Sequence, residues 1–258
     1  MSRKLSLMFH VVLGYPSLEK SLEIVSELCK RNVDYLEIQV PFSDPLADGP
    51  LIVRANQTAL QHGVGLSRVV EAIMANRNSR TKLLLMSYVQ PVFKVDPKLV
   101  LQQLKQAGAY GCIIPDLPID QPEAALFQTT TLQFVPVLSP GITRQRIELY
   151  KRLKPKLIYC TARRGITGTK SQFDQLEYIK QVKRMLGGEV VVGFGIQQPS
   201  QLQELPGYVD GAVIGSRLIE AMLHSDGRIK AALQLVDQFI ATRNQLASGT
   251  ITKQKDKL

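Results

Sequence analysis

Long apolar runs are missing from this chain of 258 residues. The longest, such as Leu83–Met86 and Val190–Val192, fall far short of the roughly 20 residues that a membrane-spanning helix needs. Cysteine is scarce. Cys29, Cys112 and Cys160 are odd in number and far apart, which argues against a disulfide framework or a thiolate zinc centre and points to reduced thiols in a cytoplasmic protein. The opening residues, Met1 to Met8, lack the long apolar stretch and small-residue cleavage site of a signal peptide, so no membrane association is expected. Also absent are H-x-x-x-H and C-x-x-C spacings, a G-x-S-x-G elbow, and a G-x-G-x-x-G turn that opens a helix after a strand. These gaps argue against a bound metal, a serine nucleophile and a dinucleotide cofactor.

What the chain has in excess is positive charge: 32 Lys and Arg against 22 Asp and Glu, a formal net charge of +10. The basic residues are dispersed, and no stretch interleaves them with aromatics as a single-strand nucleic-acid binder would. No nucleic acid is expected, whereas a basic surface suits a phosphorylated substrate or an acidic partner protein. The only small cluster, Lys253-Gln254-Lys255-Asp256-Lys257, reads as a frayed, solvated end. Residues 246–258 are accordingly expected to form a polar basic tail behind a single domain spanning 1–245.

Within that domain, short apolar segments alternate with helical patterns, without a linker or low-complexity interruption. The strand candidates are Met8–Leu13, Tyr35–Val40, Leu83–Ser87, Gly111–Pro115, Phe134–Leu138, Leu157–Cys160, Val190–Phe194 and Ala212–Gly215. Helical faces recur between them: Leu18, Leu22, Val25 and Cys29 share one, and Ile229, Leu233, Val236 and Ile240 another. Near-continuous apolar strands alternating with helices imply a parallel sheet covered by helices. Eight such units predict an α/β fold of the closed (β/α)8 (TIM) barrel type, with an open doubly wound sheet as the lesser option.

Chemistry concentrates in Leu36-Glu37-Ile38-Gln39-Val40-Pro41-Phe42-Ser43-Asp44-Pro45-Leu46-Ala47-Asp48-Gly49-Pro50. Strand alternation places Glu37 and Gln39 on one side and Leu36 and Ile38 on the other. A glutamate on a buried face needs a partner or a job. The following loop returns Asp48 towards the same strand end, where barrels build their active sites. From spacing alone, Glu37 and Asp48 fit an acid/base pair as well as they fit a structural ion pair and a turn former.

A second constellation is glycine at three consecutive strand ends: Gly165-Ile166-Thr167-Gly168, Gly193-Phe194-Gly195 and Gly215-Ser216. Glycine admits close approach of a ligand to backbone N–H groups, and barrels often hold phosphate at the loops after strands seven and eight. The histidines offer little: His10 lies in the first strand, and His62 and His224 fall near helix ends, where a polar or capping role is usual. Tyr88 reads as a barrel-filling residue. Tyr159 fits that role and a pocket wall equally.

The second-strand block closely resembles the signature of the tryptophan synthase alpha chain family. The resemblance extends over most of the chain, through Leu13-Gly14-Tyr15-Pro16-Ser17, Ala55-Asn56-Gln57-Thr58-Ala59-Leu60, Ile114-Pro115-Asp116-Leu117-Pro118, Arg163–Gly168, Gly193–Ile196 and Gly211–Ser216. It implies a cytoplasmic lyase of tryptophan biosynthesis that cleaves indole-3-glycerol phosphate to indole and glyceraldehyde 3-phosphate by a retro-aldol step. Carried over, Glu37 is the general acid/base, Asp48 accepts the indole N–H, and Tyr159 matches the family's active-site tyrosine. Gly168, Gly195, Gly215 and Ser216 hold the phosphate through backbone amides, and no metal or cofactor is required in this chain. The family binds a beta chain carrying pyridoxal phosphate, implying an assembly of two alpha and two beta chains. The Asp44–Pro50 loop would face that partner, with the Thr167–Lys170 loop closing over substrate.

Two positions depart from the family pattern. Gln39 stands where glycine is usual, beside the expected indole position, where it can fill part of the pocket, bond Glu37 or turn aside. Arg164 replaces a small residue next to the phosphate loop. Gln39 is the feature that favours an alternative reading, a catalytically weak alpha-type chain that mainly activates its partner. The unbroken P-F-S-D-P-L-A-D-G-P run argues against a third, another phosphate-binding barrel enzyme.

Overall fold

Strand-forming apolar runs and capped amphipathic helices alternate along the whole of the computed structural model, which describes residues 4–161, 170–193, 195–205, 207–223 and 229–251. The strands are β1 (Ser6–Val12), β2 (Tyr35–Gln39), β3 (Lys82–Met86), β4 (Gly111–Ile113), β5 (Gln133–Phe134), β6 (Val137–Leu138), β7 (Leu157–Thr161), β8 (Glu189–Gly193) and β9 (Gly211–Ile214). The α-helices are α1 (Leu18–Lys30), α2 (Pro50–Gln61), α3 (Leu66–Ala75), α4 (Val89–Phe93), α5 (Pro97–Ala107), α6 (Arg144–Tyr150), α7 (Lys170–Leu186), α8 (Ser216–Leu223) and α9 (Lys230–Ser248). Among the described residues, no helix is long and apolar enough to cross a membrane.

Every strand pairing is parallel, in the order β5-β4-β3-β2-β1-β9-β8-β7-β6. β5 bonds to β4 and β6 to β7, and one chain segment carries both, so the ring closes as a (β/α)8 barrel. The fifth barrel position, expected as one strand over Phe134–Leu138, is thus two two-residue strands. Pro136 sits between them and has no N–H for the ladder. Its neighbours keep the seam closed: the Val135 N–H donates to Cys112 O at 2.9 Å, and the Tyr159 N–H donates to Pro136 O at 2.9 Å.

Period-two alternation divides the apolar side chains into two cores. Met8, Tyr35, Leu84, Met86, Ile113, Val135, Leu157, Val191 and Val213 fill the barrel. Leu7, Phe9, Leu36, Ile38, Leu85, Cys112, Ile158, Val190 and Ile214 face outward and are buried by the helices. The barrel's lower end is polar: the Tyr35 hydroxyl donates to Glu189 Oε2 at 2.9 Å and accepts from Lys82 Nζ at 3.1 Å. Local sequence sets the helix boundaries. Ser17 accepts the Lys20 N–H at the start of α1, Asp96 accepts the Lys98 N–H before Pro97 in α5, and Gly108 ends α5 at φ 85°. α9 runs to Ser248 and is capped by Gly249 at φ 75°, so the first three residues of the expected tail are helical and Leu246 is buried.

Candidate active site

Parallel pairing of β1 with β2 sets His10 directly opposite Glu37 on the inner face, where His10 Nδ1 lies 2.9 Å from Glu37 Oε1. Both residues are only 4% exposed. An isolated carboxylate at that depth would be costly, and the His10 bond offsets much of the cost. Burial alone would hold the imidazole below its ordinary value. The Glu37 charge and hydrogen bond, with the Asp48 charge, outweigh it and raise the His10 pKa above 6.5. Glu37 Oε2 and His10 Nε2 are buried with no hydrogen-bond partner among the described residues.

Asp48 reaches the same strand end because the β2–α2 loop is tied down at several points. The Asp48 N–H donates to Pro45 O at 3.0 Å, closing a turn, and Pro50 then starts α2. Buried Asn56 accepts the Phe42 N–H at 2.9 Å and donates to Ile52 O at 2.9 Å, locking the loop to α2. Tyr88 accepts the Ala47 N–H at 3.1 Å and stacks on Phe42 with ring centroids 5.1 Å apart. Gln39 Nε2 donates to Asp48 Oδ2 at 2.7 Å. Burial raises the pKa of Asp48, while nearby His10, Gln39 and Tyr88 act in the opposite direction. Gln39 thus bonds Asp48, not Glu37, and it is absent from the walls of the cavity described next.

That cavity, of about 210 Å³, opens at the C-terminal ends of the strands. His10, Glu37, Asp48 and Tyr159 line it together with Gly193, Gly195, Gly215, Ser216 and Arg217. Tyr159 is therefore a wall residue. A Cβ at Gly193 would stand 2.6 Å from its hydroxyl, so glycine there makes room for the ring. Burial, then the charges of Glu37 and Asp48, push the Tyr159 pKa upward and keep it a neutral phenol. Tyr88 packs inside the barrel and is not a wall residue. Gly195 has φ +64° with open space where a Cβ would project, which leaves its backbone exposed to the cavity. Gly215 leads into α8, whose first residues, Ser216 and Arg217, line the same cavity. Gly168, Arg164 and His224 lie outside the described residues, as do residues 167–169 of the expected closing loop.

Two titratable cavity residues escaped the sequence reading. His10 had a signal: it is a polar residue in an apolar strand, on the neighbour of the strand carrying Glu37. Arg217 directly follows the Gly215-Ser216 motif. Its Nη1 donates to Glu220 Oε2 at 2.8 Å, while its Nε is buried without a partner among the described residues. Among those residues no three His, Cys, Asp or Glu side chains converge as a metal site.

Fold and site together define a (β/α)8-barrel protein with two acids and a buried histidine at the mouth where such barrels do their chemistry. The family model described as tryptophan synthase alpha chain matches residues 2–249. The alpha chain of Desulfotalea psychrophila is 37% identical over 218 residues, 83% of this chain and 86% of that one. That of Aquifex aeolicus is 33% identical over 225 residues, 84% and 86%. Among solved structures, tryptophan synthase from M. tuberculosis in an aminoacrylate-bound form superposes with a TM-score of 0.82 at 25% identity, covering 93% of each chain. The alpha subunit from Legionella pneumophila str. Paris does so at 0.83 and 26%, again over 93% of each. The chain belongs to the tryptophan synthase alpha chain family. Its reaction is that family's: a lyase of tryptophan biosynthesis that cleaves indole-3-glycerol phosphate to indole and glyceraldehyde 3-phosphate, working with a beta chain.

Proposed function

We propose that Glu37 and Asp48 carry out this cleavage in the cavity between β1, β2, β7 and the glycine-bearing ends of β8 and β9. The observation that carries the assignment is that both acids line one cavity together with the glycine-bearing ends of β8 and β9. Glu37 delivers a proton to indole C3, and positive charge develops at the ring nitrogen, where Asp48 accepts the N–H. The Glu37 carboxylate then takes the proton of the glycerol hydroxyl. As the carbonyl forms, the electron pair of the breaking C–C bond returns to the ring, releasing indole and the aldehyde. Glu37 ends the cycle protonated as it began, so one carboxyl serves as acid and base. Tyr159 closes one wall beside the two acids.

The phosphate is held by backbone N–H groups of Gly195, Gly215 and Ser216 at the start of α8, with Gly168 from the sixth strand's loop. Arg217 Nε supplies a charged donor at that rim, which suits its buried position. The beta chain docks against the Asp44–Pro50 loop, where Leu46 is 92% exposed and gives the partner an apolar anchor. Two alpha and two beta chains make up the assembly. Pyridoxal phosphate belongs to the beta chain, as in the family this chain belongs to.

Indole release from indole-3-glycerol phosphate by the purified chain, with and without its beta chain, tests the whole reading. Turnover that rises with the partner is expected. A folded chain with no turnover in either condition would move the assignment to a non-catalytic activator.

A further inference from the structure

The His10–Glu37 pair goes beyond the two-acid scheme above. We propose that His10 is a positioning and proton-holding residue for Glu37, an inference that rests on the indole-3-glycerol phosphate reading of the cavity. Three observations carry it. His10 Nδ1 is 2.9 Å from Glu37 Oε1, so with Nδ1 as donor that oxygen is taken and Oε2 alone remains to serve the substrate. Parallel register holds the two residues side by side on rigid strands, which fixes the carboxyl better than a loop would. His10 Nε2 has no partner among the described residues, and the residue lines the cavity, so the ring has a polar edge toward the reacting molecule.

The scheme balances without any added reagent. At one proton above carboxylate and neutral imidazole, the pair exists as imidazolium with carboxylate or as imidazole with carboxylic acid. Protonation of indole C3 takes that proton from Glu37. Deprotonation of the glycerol hydroxyl restores it. Between the two steps His10 keeps its Nδ1–H on Oε1, which steadies the carboxylate while its other oxygen faces the hydroxyl.

The groups facing His10 decide how the pair titrates. Among the described residues these are Glu37 and Gln39 on β2 and Asp48 on the β2–α2 loop, while Tyr159 on β7 and Arg217 at the start of α8 line the same cavity. Gly215 neighbours His10: a Cβ there would lie 3.6 Å from His10 Cβ. The two carboxylates favour the imidazolium, in line with the raised His10 value, and outweigh the desolvation that opposes it. Activity should therefore persist while the pair holds its proton and fall as pH rises through the His10 titration.

Three variants and two readouts test this. His10→Asn keeps a short N–H donor near the Nδ1 position but cannot titrate, and His10→Phe keeps a ring without a donor. With the beta chain present, His10→Phe is expected to lower kcat at least about tenfold with KM within about threefold. His10→Asn should recover most of that loss at low pH, with its alkaline fall at least about one pH unit earlier than in the parent chain. Independently of turnover, NMR titration of the imidazoles should place His10 above 6.5 in the parent and at a lower value in Glu37→Gln. A kcat and pH profile unchanged in both His10 variants would overturn the proposal, as would a His10 titration indifferent to Glu37→Gln. No turnover from the parent chain would defeat the reaction assignment, and the proton-holding role with it, while the NMR titration would still report the pairing.

Discussion

Glu37 and Asp48 sit close together and do different work because their neighbours differ. Glu37 is bonded through one oxygen to His10, while Asp48 is bonded through one oxygen to Gln39. Replacing Glu37 with glutamine leaves a side chain of the same shape that cannot pass a proton. Turnover of Glu37→Gln should fall at least about a hundredfold with the fold intact by circular dichroism; near-normal turnover would remove Glu37 from the role. Gln39→Gly deletes a donor to the Asp48 carboxylate. Because a hydrogen bond to a charged group contributes about 1.5–3 kcal/mol, kcat should drop roughly ten- to a hundredfold. A rise in kcat would instead mean that Gln39 obstructs the indole site. The sequence raised Gln39 as a departure on the correct face, yet it had no means of naming its partner, which arrives from a loop nine residues on.

Between strand and helix, the β2–α2 connection is the element on which the site depends. Proline and aspartate set its turns locally, but Asn56, Tyr88 and Gln39 hold it from three separate elements. Asn56→Ala would leave the Phe42 N–H without its acceptor under a buried side chain. The expected loss is about 1–3 kcal/mol, read as a lower urea midpoint at unchanged slope, together with reduced kcat as Asp48 loosens. An unchanged midpoint would show that the loop is held without it. The fifth barrel strand shows the same division between local and distant causes. Its apolar residues predict a strand from Phe134 to Leu138, whereas Pro136 splits it and the neighbouring strands restore closure from either side.

Over the whole molecule, the chain's own C-terminal helix is tied to the strand starts at the other end of the barrel. Arg243 of α9 is 4% exposed and pairs with Asp34 just before β2, and the same carboxylate oxygen accepts the Leu7 N–H at 2.9 Å at the start of β1. Removing one member of such a pair strands the other. Arg243→Met should cost about 2–4 kcal/mol, lowering Tm by roughly 5–15 °C. kcat/KM at 25 °C should be unchanged, since the pair lies at the end of the barrel opposite the cavity. A matching loss of activity would mean that the two ends of the barrel are coupled.

By itself the sequence determined the alternation of strand and helix, the inward parity of Glu37 and Gln39, the turn residues that bring Asp48 back, and the glycines at the strand ends. Each of these is a local matter of side-chain period, capping or backbone freedom. Tertiary structure decided which polar groups meet. His10 finds Glu37 across 27 residues because β1 and β2 pair in one register and no other. Arg217 reaches the cavity because β9 ends where α8 begins. Such pairings depend on ring closure and strand register, which arise from the burial of two whole cores and are properties of no single segment.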